Sequence, residues 1–387
     1  MHKIEAEKYC DSVRDGTHDT PRQVDSGYRL ATAKHIINGQ IDLSDAYFIS
    51  EKDYLKICER SKVEKWDVLM SMIGNVGNSA VVKDDPNYAI KNLALFKIGD
   101  EIKAKWLHYY LSSFEGQSYI YNSLQGSSQQ FISLSLLRKF PIPVPDDYST
   151  MRRVVNVLSR YDALIENYQR QIKLLEEAAQ RLYKEWFVDL HFPGHQSTPI
   201  INNLPQGWEK KKLIEITDVQ YGYAFDGSLF NSDNKGMPIV RIRNIPDGYT
   251  SDYTTEDASP DYIVRNGDIL VGMDGIFHIN TWSGWNAYLV QRACSFRPKD
   301  KLLKGFILQA IYEPIKYFEK TLVGATVAHL GKKHIDSIEL LIPTGNDLFI
   351  PFSEMFDERQ NLLAQIRHLS EARDRLLPKL MNGEIEV

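Results

Sequence analysis

The chain has 387 residues, 43% hydrophobic and 25% charged, a globular composition long enough for two or three domains with cores of their own. No stretch approaches the roughly 18 consecutive apolar residues of a membrane span, and the opening MHKIEAEKYCDSVRDG has no apolar core followed by a small-residue cleavage site, so a soluble cytoplasmic protein is expected. Cys10, Cys58 and Cys294 stand far apart without CxxC spacing, which argues against a disulfide framework or a zinc knuckle, and a net charge of -5 argues against a stand-alone nucleic-acid binder, which carries a basic surplus.

In chain order, residues 1–147 form a first domain. Short β-rich runs (Asp67 to Ile73, Ala94 to Ile98) and a helical stretch (Ile102 to Phe114) alternate there with a Gly- and Asn-rich loop from Ser71 to Asn78. Residues 148–190 read as one long helix and 191–207, rich in Pro, Gly and small polar residues, as a linker. A second domain, 208–344, has strands at Pro238 to Arg243, Asp268 to Val271 and Ile338 to Ile342, a helix at Lys304 to Phe318 and a loop from Tyr221 to Asn234. Residues 345–387 form a second long helix. The fold class is α/β or α+β: two such domains in tandem, each followed by a long helix, the two helices pairing as an antiparallel coiled coil.

The halves repeat. Asp67-Val68-Leu69-Met70-Ser71-Met72-Ile73-Gly74 returns 201 residues on as Asp268-Ile269-Leu270-Val271-Gly272-Met273-Asp274-Gly275, and Gly126 to Pro145 returns 198 residues on as Gly324 to Pro343. After each copy of the latter segment runs a heptad seam. In the first helix it is Leu158, Tyr161, Ile165, Tyr168, Ile172, Leu175, Ala179, Leu182 and Trp186, and in the second Phe352, Met355, Arg359, Leu362, Ile366, Leu369, Arg373, Leu376 and Leu380. The helix-pair interface is therefore expected from Leu158, Ile165, Ile172, Leu175 and Leu182 against Phe352, Leu362, Ile366, Leu369 and Leu376. About 160 residues separate the helices, so they meet by tertiary folding. At about 1.5 Å per residue the first is about 55 Å long, a spacer. Arg359 and Arg373 occupy core positions of the seam and need partners, for which Glu166, Glu176 and Glu177 are available.

With these elements placed, RLYKEWFVDLHFPGH (Arg181 to His195) resembles the end of the central helix in specificity subunits of type I restriction-modification systems. LPQGWEKKKLIEI (Leu204 to Ile216) resembles the opening of a recognition domain of that family, and LLPKLMNGEI (Leu376 to Ile385) the end of its distal helix. The first domain departs from the pattern: it opens at Lys3-Ile4-Glu5 without a Pro-x-Gly-Trp phrase, which suggests a trimmed first strand. The resemblance implies a non-catalytic subunit that binds double-stranded DNA. Each domain would read part of a bipartite, asymmetric target, while the helix pair docks two methyltransferase subunits and, through them, restriction subunits. S-adenosylmethionine, ATP and Mg belong to those partners, and no cofactor or metal is expected on this chain. One turn of DNA is about 34 Å, so a 55 Å spacer suits separated half-sites.

The chemistry of the residues agrees. There is no Asn/Asp-Pro-Pro-aromatic methyltransferase motif, no Walker loop, no Gly-x-Ser-x-Gly and no His-Glu-x-x-His. Asp85 with Glu101 and Lys103 loosely imitates a metal-dependent nuclease, but the pattern is short and common by chance and reads far better as solvated helix charges. Phosphates are gripped by cations and backbone N–H groups, and base edges by Arg, Asn, Gln, Ser and Thr. DNA-binding candidates in the first domain are Thr17, His18, Arg22, Lys34, Asn75 and the loop of Ser127, Ser128, Gln129 and Gln130. In the second they are Tyr221, Tyr223, Arg241, Arg243, Asn244, Thr326, Lys332 and Lys333. Each alone reads equally as an ordinary exposed polar group. The rival from another class is a coiled-coil scaffold whose repeated domains bind protein.

Overall fold

Residues 1–387, apart from 128, 323–327 and 386, are described by a computed structural model. Their contacts divide the chain into two units, Met1–Leu164 with Leu369–Val387, and Ile165–His368.

Both units are built on the same central sheet. In the first, a four-stranded antiparallel sheet runs in the order Ser12–Asp15, Leu93–Lys97, Val68–Ser71, Ser79–Val81. In the second the order is Thr217–Tyr221, Ala293–Pro298, Ile269–Gly272, Ile279–Thr281. Val68–Ser71 and Ile269–Gly272 are buried along their whole length, as expected of short apolar runs covered on both faces. The repeated aspartates preceding them have a structural role. Asp67 accepts from the backbone N–H of Glu64 and of Ile98 and pairs with Lys97 at 2.7 Å. Asp268 accepts from the Arg265 N–H and from Arg297 Nε at 2.9 Å. Buried carboxylates are stable only with such partners.

A second sheet in each unit contains one parallel pair, Tyr28–Ala31 with Tyr88–Ile90 and Met237–Val240 with Ala287–Leu289. A two-stranded ribbon closes each domain. His2–Glu5 pairs with Pro141–Val144 just as Trp208–Lys212 pairs with Glu339–Pro343, so the first strand is present although its Pro-x-Gly-Trp phrase is not. Two predicted elements stop early. The strand from Pro238 ends at Val240, where Asn244 Oδ1 accepts from the Arg241 N–H at 2.9 Å and closes a 3-10 turn over Ile242–Asn244. The helix from Lys304 breaks at Ala310 and restarts as Tyr312–Thr321. Pro314 lies in the first turn of the restarted helix, where no backbone donor is needed.

The long helices span Tyr148–Tyr183, continued by a π-helical turn over Lys184–Val188, and Ile350–Met381. In the first unit the start of one meets the end of the other: Met151, Val154, Val155 and Leu158 share a core with Leu377, Leu380 and Met381 and with Trp106 and Phe140 of the domain. In the second unit the pairing is the converse, an antiparallel arrangement. Phe187 lies 4.7 Å from Phe306, 5.8 Å from Phe352 and 5.3 Å from Trp208 by ring centroids, and Phe192 packs on the same Trp208. The aromatic phrase at the end of the first helix is thus the hub on which a domain and both helix ends close. Of the expected seam, Leu158, Ile165, Ile172, Phe352 and Leu362 are buried, and Leu175, Leu182, Ile366, Leu369 and Leu376 half-buried. Arg359 meets Glu176 at 2.7 Å, whereas Arg373 pairs with Asp162 at 2.9 Å rather than with a glutamate of the first helix. No helix among the described residues is long and apolar enough to cross a membrane.

Candidate functional site

Four loops converge on one edge of the central sheet in each domain, drawn together by the same backbone bonds. In the first, the Gly16 N–H donates to Leu93 and the Thr17 N–H to Ile90; Asn92 donates to Thr17, Met72 to Asn92, and Ile132 to Met72. In the second, Gly222 donates to Ala293, Tyr223 to Leu289, Gln291 to Tyr223, Met273 to Arg292, and Leu330 to Met273. The close approach requires glycine. A Cβ on Gly16 would lie 2.4 Å from the Ile90 carbonyl oxygen, and one on Gly222 2.1 Å from that of Val290.

At this edge the first domain holds a polar cluster anchored on Asp15, whose side chain is 7% exposed. His18 Nε2 is 3.0 Å from Asp15 Oδ2 and His18 Nδ1 2.8 Å from Asn92 Oδ1, while Arg60 pairs with the other carboxylate oxygen. Thr17, His18, Lys56 and Arg60 help line a cavity of about 350 Å³ beside it. Asn75 and Gln129 are exposed on the two neighbouring loops, which the Ile73–Phe131 bridge holds together. Lys34 is engaged with Asp45 at 2.7 Å, and Arg22 is exposed next to Pro21, which lines the same cavity. Ser128 lies outside the described residues, as does Thr326.

In the second domain the anchor is Asp274, with His329 Nδ1 at 2.5 Å and Arg292 Nη1 at 3.1 Å. Tyr223 lies on the converging loop, and Val290 donates to Val240, which brings Arg241 alongside. The Tyr221 hydroxyl is buried with no hydrogen-bond partner among the described residues, and burial pushes its pKa up to about 12. Arg243 makes a double contact with Asp252 at 2.7 and 2.8 Å, and Asn244 reaches the same carboxylate. Both therefore already have a partner in Asp252. Lys332 and Lys333 are exposed at the start of the helix Lys332–Asp336.

Asp15, Arg60, Asn92, Asp274, Arg292 and His329 escaped sequence reasoning. A signal existed in the spacing, because Asn92 and Arg292 stand 200 residues apart, but their dissimilarity hides it. Glu101 is paired with Lys105 and Lys103 Nζ lies over the Tyr9 ring. Among the described residues no group of three or more His, Cys, Asp or Glu could hold a metal ion.

The family model described as Type I restriction modification DNA specificity domain matches the chain twice, over residues 23–177 and 205–347. The type I restriction enzyme MjaIX specificity subunit of Methanocaldococcus jannaschii is 26% identical over 367 residues, covering 88% of this chain and 82% of that protein. The type I restriction enzyme EcoBI specificity subunit of Escherichia coli is 28% identical over 183 residues, 46% of this chain and 37% of that protein. In fold, the chain resembles the crystal structure of the type-I restriction-modification system S subunit from M. genitalium, with a TM-score of 0.54 at 17% identity over 98% of this chain and 95% of that one.

Proposed function

Because the chain belongs to the type I restriction modification DNA specificity family, matched in both of its halves, we propose that it is the non-catalytic subunit that chooses the DNA sequence on which such a complex acts. Each domain reads one part of a bipartite target in double-stranded DNA, and the target is asymmetric because the two reading edges carry different side chains. The helix pair docks two methyltransferase subunits and, through them, restriction subunits. S-adenosylmethionine, ATP and Mg bind to those partners, and adenine N6 is the atom methylated.

The observation that carries this reading is the loop convergence built twice on matching backbone bonds, with a His, an Arg and a carboxylate at each edge. Cations and amides on loops held by a rigid sheet suit base and phosphate contact. The net charge of -5 fits a subunit whose partners complete the grip on the duplex.

The test is a single-molecule methylome of the source cell with the gene intact and deleted. Loss of N6-methyladenine at one split, asymmetric motif is the expected result. An unchanged methylome, with the gene expressed beside its methyltransferase partners, overturns the reading and leaves the protein-binding scaffold in its place.

A further inference from the structure

Three left-handed backbone positions recur in the two domains 200 or 201 residues apart: Trp66 and Gly267, Gly74 and Gly275, and Asn92 and Arg292. The third pair sits in the turn entering the central strand of each sheet, with its carbonyl accepting from the Met72 or the Met273 N–H. The carbonyl bond is the same, the N–H that Asn92 gives to Thr17 is supplied by Gln291 in the second domain, whose turn is one residue longer, and the side chains in the left-handed position differ. Asparagine adopts such a conformation readily, whereas an arginine at φ +69° holds a strained backbone, of the kind that persists where the side chain has a task.

Both side chains are also held. Arg292, 67% exposed, contacts Asp274 through one terminal nitrogen at 3.1 Å, the rest of its fork having no partner among the described residues, and His329 braces the same carboxylate at 2.5 Å. Asn92 is braced at 2.8 Å by His18, itself fixed on Asp15. A cation meant only for phosphate needs neither a fixed orientation nor a strained backbone. A base-reading fork needs orientation, because two parallel hydrogen bonds must be met at once.

We propose that this turn position carries the base-reading residue of each domain: Arg292 donates to the O6 and N7 of a guanine, and Asn92 pairs with the N6 and N7 of an adenine. Asp274 with His329, and Asp15 with His18, are positioning residues behind them. The inference rests on the DNA-reading function proposed above and names where that reading happens.

The test is methylation of a randomised duplex library by the full complex of this chain with its methyltransferase partners, comparing wild type with Arg292→Gly and Asn92→Gly. Glycine suits the left-handed backbone, so these variants remove the side chain and spare the fold. Arg292→Gly is expected to lose discrimination for guanine at one base pair of one half-site by roughly tenfold to a hundredfold, with the other half-site unchanged. Asn92→Gly is expected to do the same for adenine in the other half. Arg292→Asn should move the preference at its base pair from guanine toward adenine. A wild-type complex with no defined motif sinks the DNA-reading function and the inference with it. A defined wild-type motif that survives in the variants, or falls uniformly across all sequences, overturns the base-reading assignment alone.

Discussion

At the scale of the residue, charge is tolerated inside this protein only where several polar groups share it. Arg359, 8% exposed in the second helix seam, contacts Glu176 at 2.7 Å and Asn280 at 2.9 Å and donates to Thr281. Removing the guanidinium leaves those acceptors facing a gap, and breaking a buried pair typically costs about 3 kcal/mol. Because Glu176 is 40% exposed and can rehydrate, Arg359→Ala should lie near that figure or below it in urea unfolding, and Glu176→Ala should cost clearly less, since Asn280 and Thr281 still hold the arginine. His108 gives the complementary case. It packs under Gly39, hydrogen-bonds Ser79 at 2.9 Å, and is pushed down to about 4 mainly by burial, with Arg373 and Lys83 adding to the depression and Asp162 opposing it. A histidine depressed in the folded state contributes stability that is fully present above its ordinary value of about 6.5 and is lost as pH falls through 4. Unfolding midpoints measured from pH 7 to 4 should therefore decline below 6.5, and His108→Gln should flatten part of that decline while leaving the rest, to which other depressed histidines such as His278 and His35 contribute.

At the scale of the element, the seam residues of the long helices are unequal. Phe352, 1% exposed, packs among Phe187, Phe306 and Trp186, whereas Leu174 of the first helix is 59% exposed. Truncating a buried aromatic costs about 3–5 kcal/mol through lost transfer energy and the cavity left behind, while an exposed leucine off the seam stays within about 0.5 kcal/mol. Denaturant midpoints of Phe352→Ala and Leu174→Ala should separate accordingly, and equal losses would show that the aromatic hub is not what holds the helix end. This level was legible in the sequence, because a heptad seam and a block of aromatics are local patterns dictated by helix geometry. What escaped was the partner of Arg373. Asp162 is seam-adjacent rather than a seam position, and only the antiparallel pairing of the last turns with the first brings the two within 2.9 Å.

For the molecule as a whole, the repeat at an offset of about 200 foretold two like domains, yet not the clusters at their edges. Asp15 and Arg60 are 45 residues apart, and Asp274 and His329 are 55 apart. Neither pair has a spacing that chemistry fixes in sequence; they meet because the loops fold over the same sheet edge. Arg243 and Asn244 illustrate the converse, since residue type made them DNA candidates while the fold engages both with Asp252. The two edges lie in separate units with separate cores, so their contributions to binding should add, as those of independent sites do to within about 0.5 kcal/mol. His18→Ala and His329→Ala each remove one brace, worth about 1 kcal/mol for a single hydrogen-bonded contact, or about fivefold in affinity. Measured on the assembled complex with duplex carrying its full target, the double variant should bind about 25-fold more weakly than wild type. A double variant no weaker than the worse single one would mean that the two edges do not engage one duplex together, and the reading of the chain as a single bipartite reader would have to be given up.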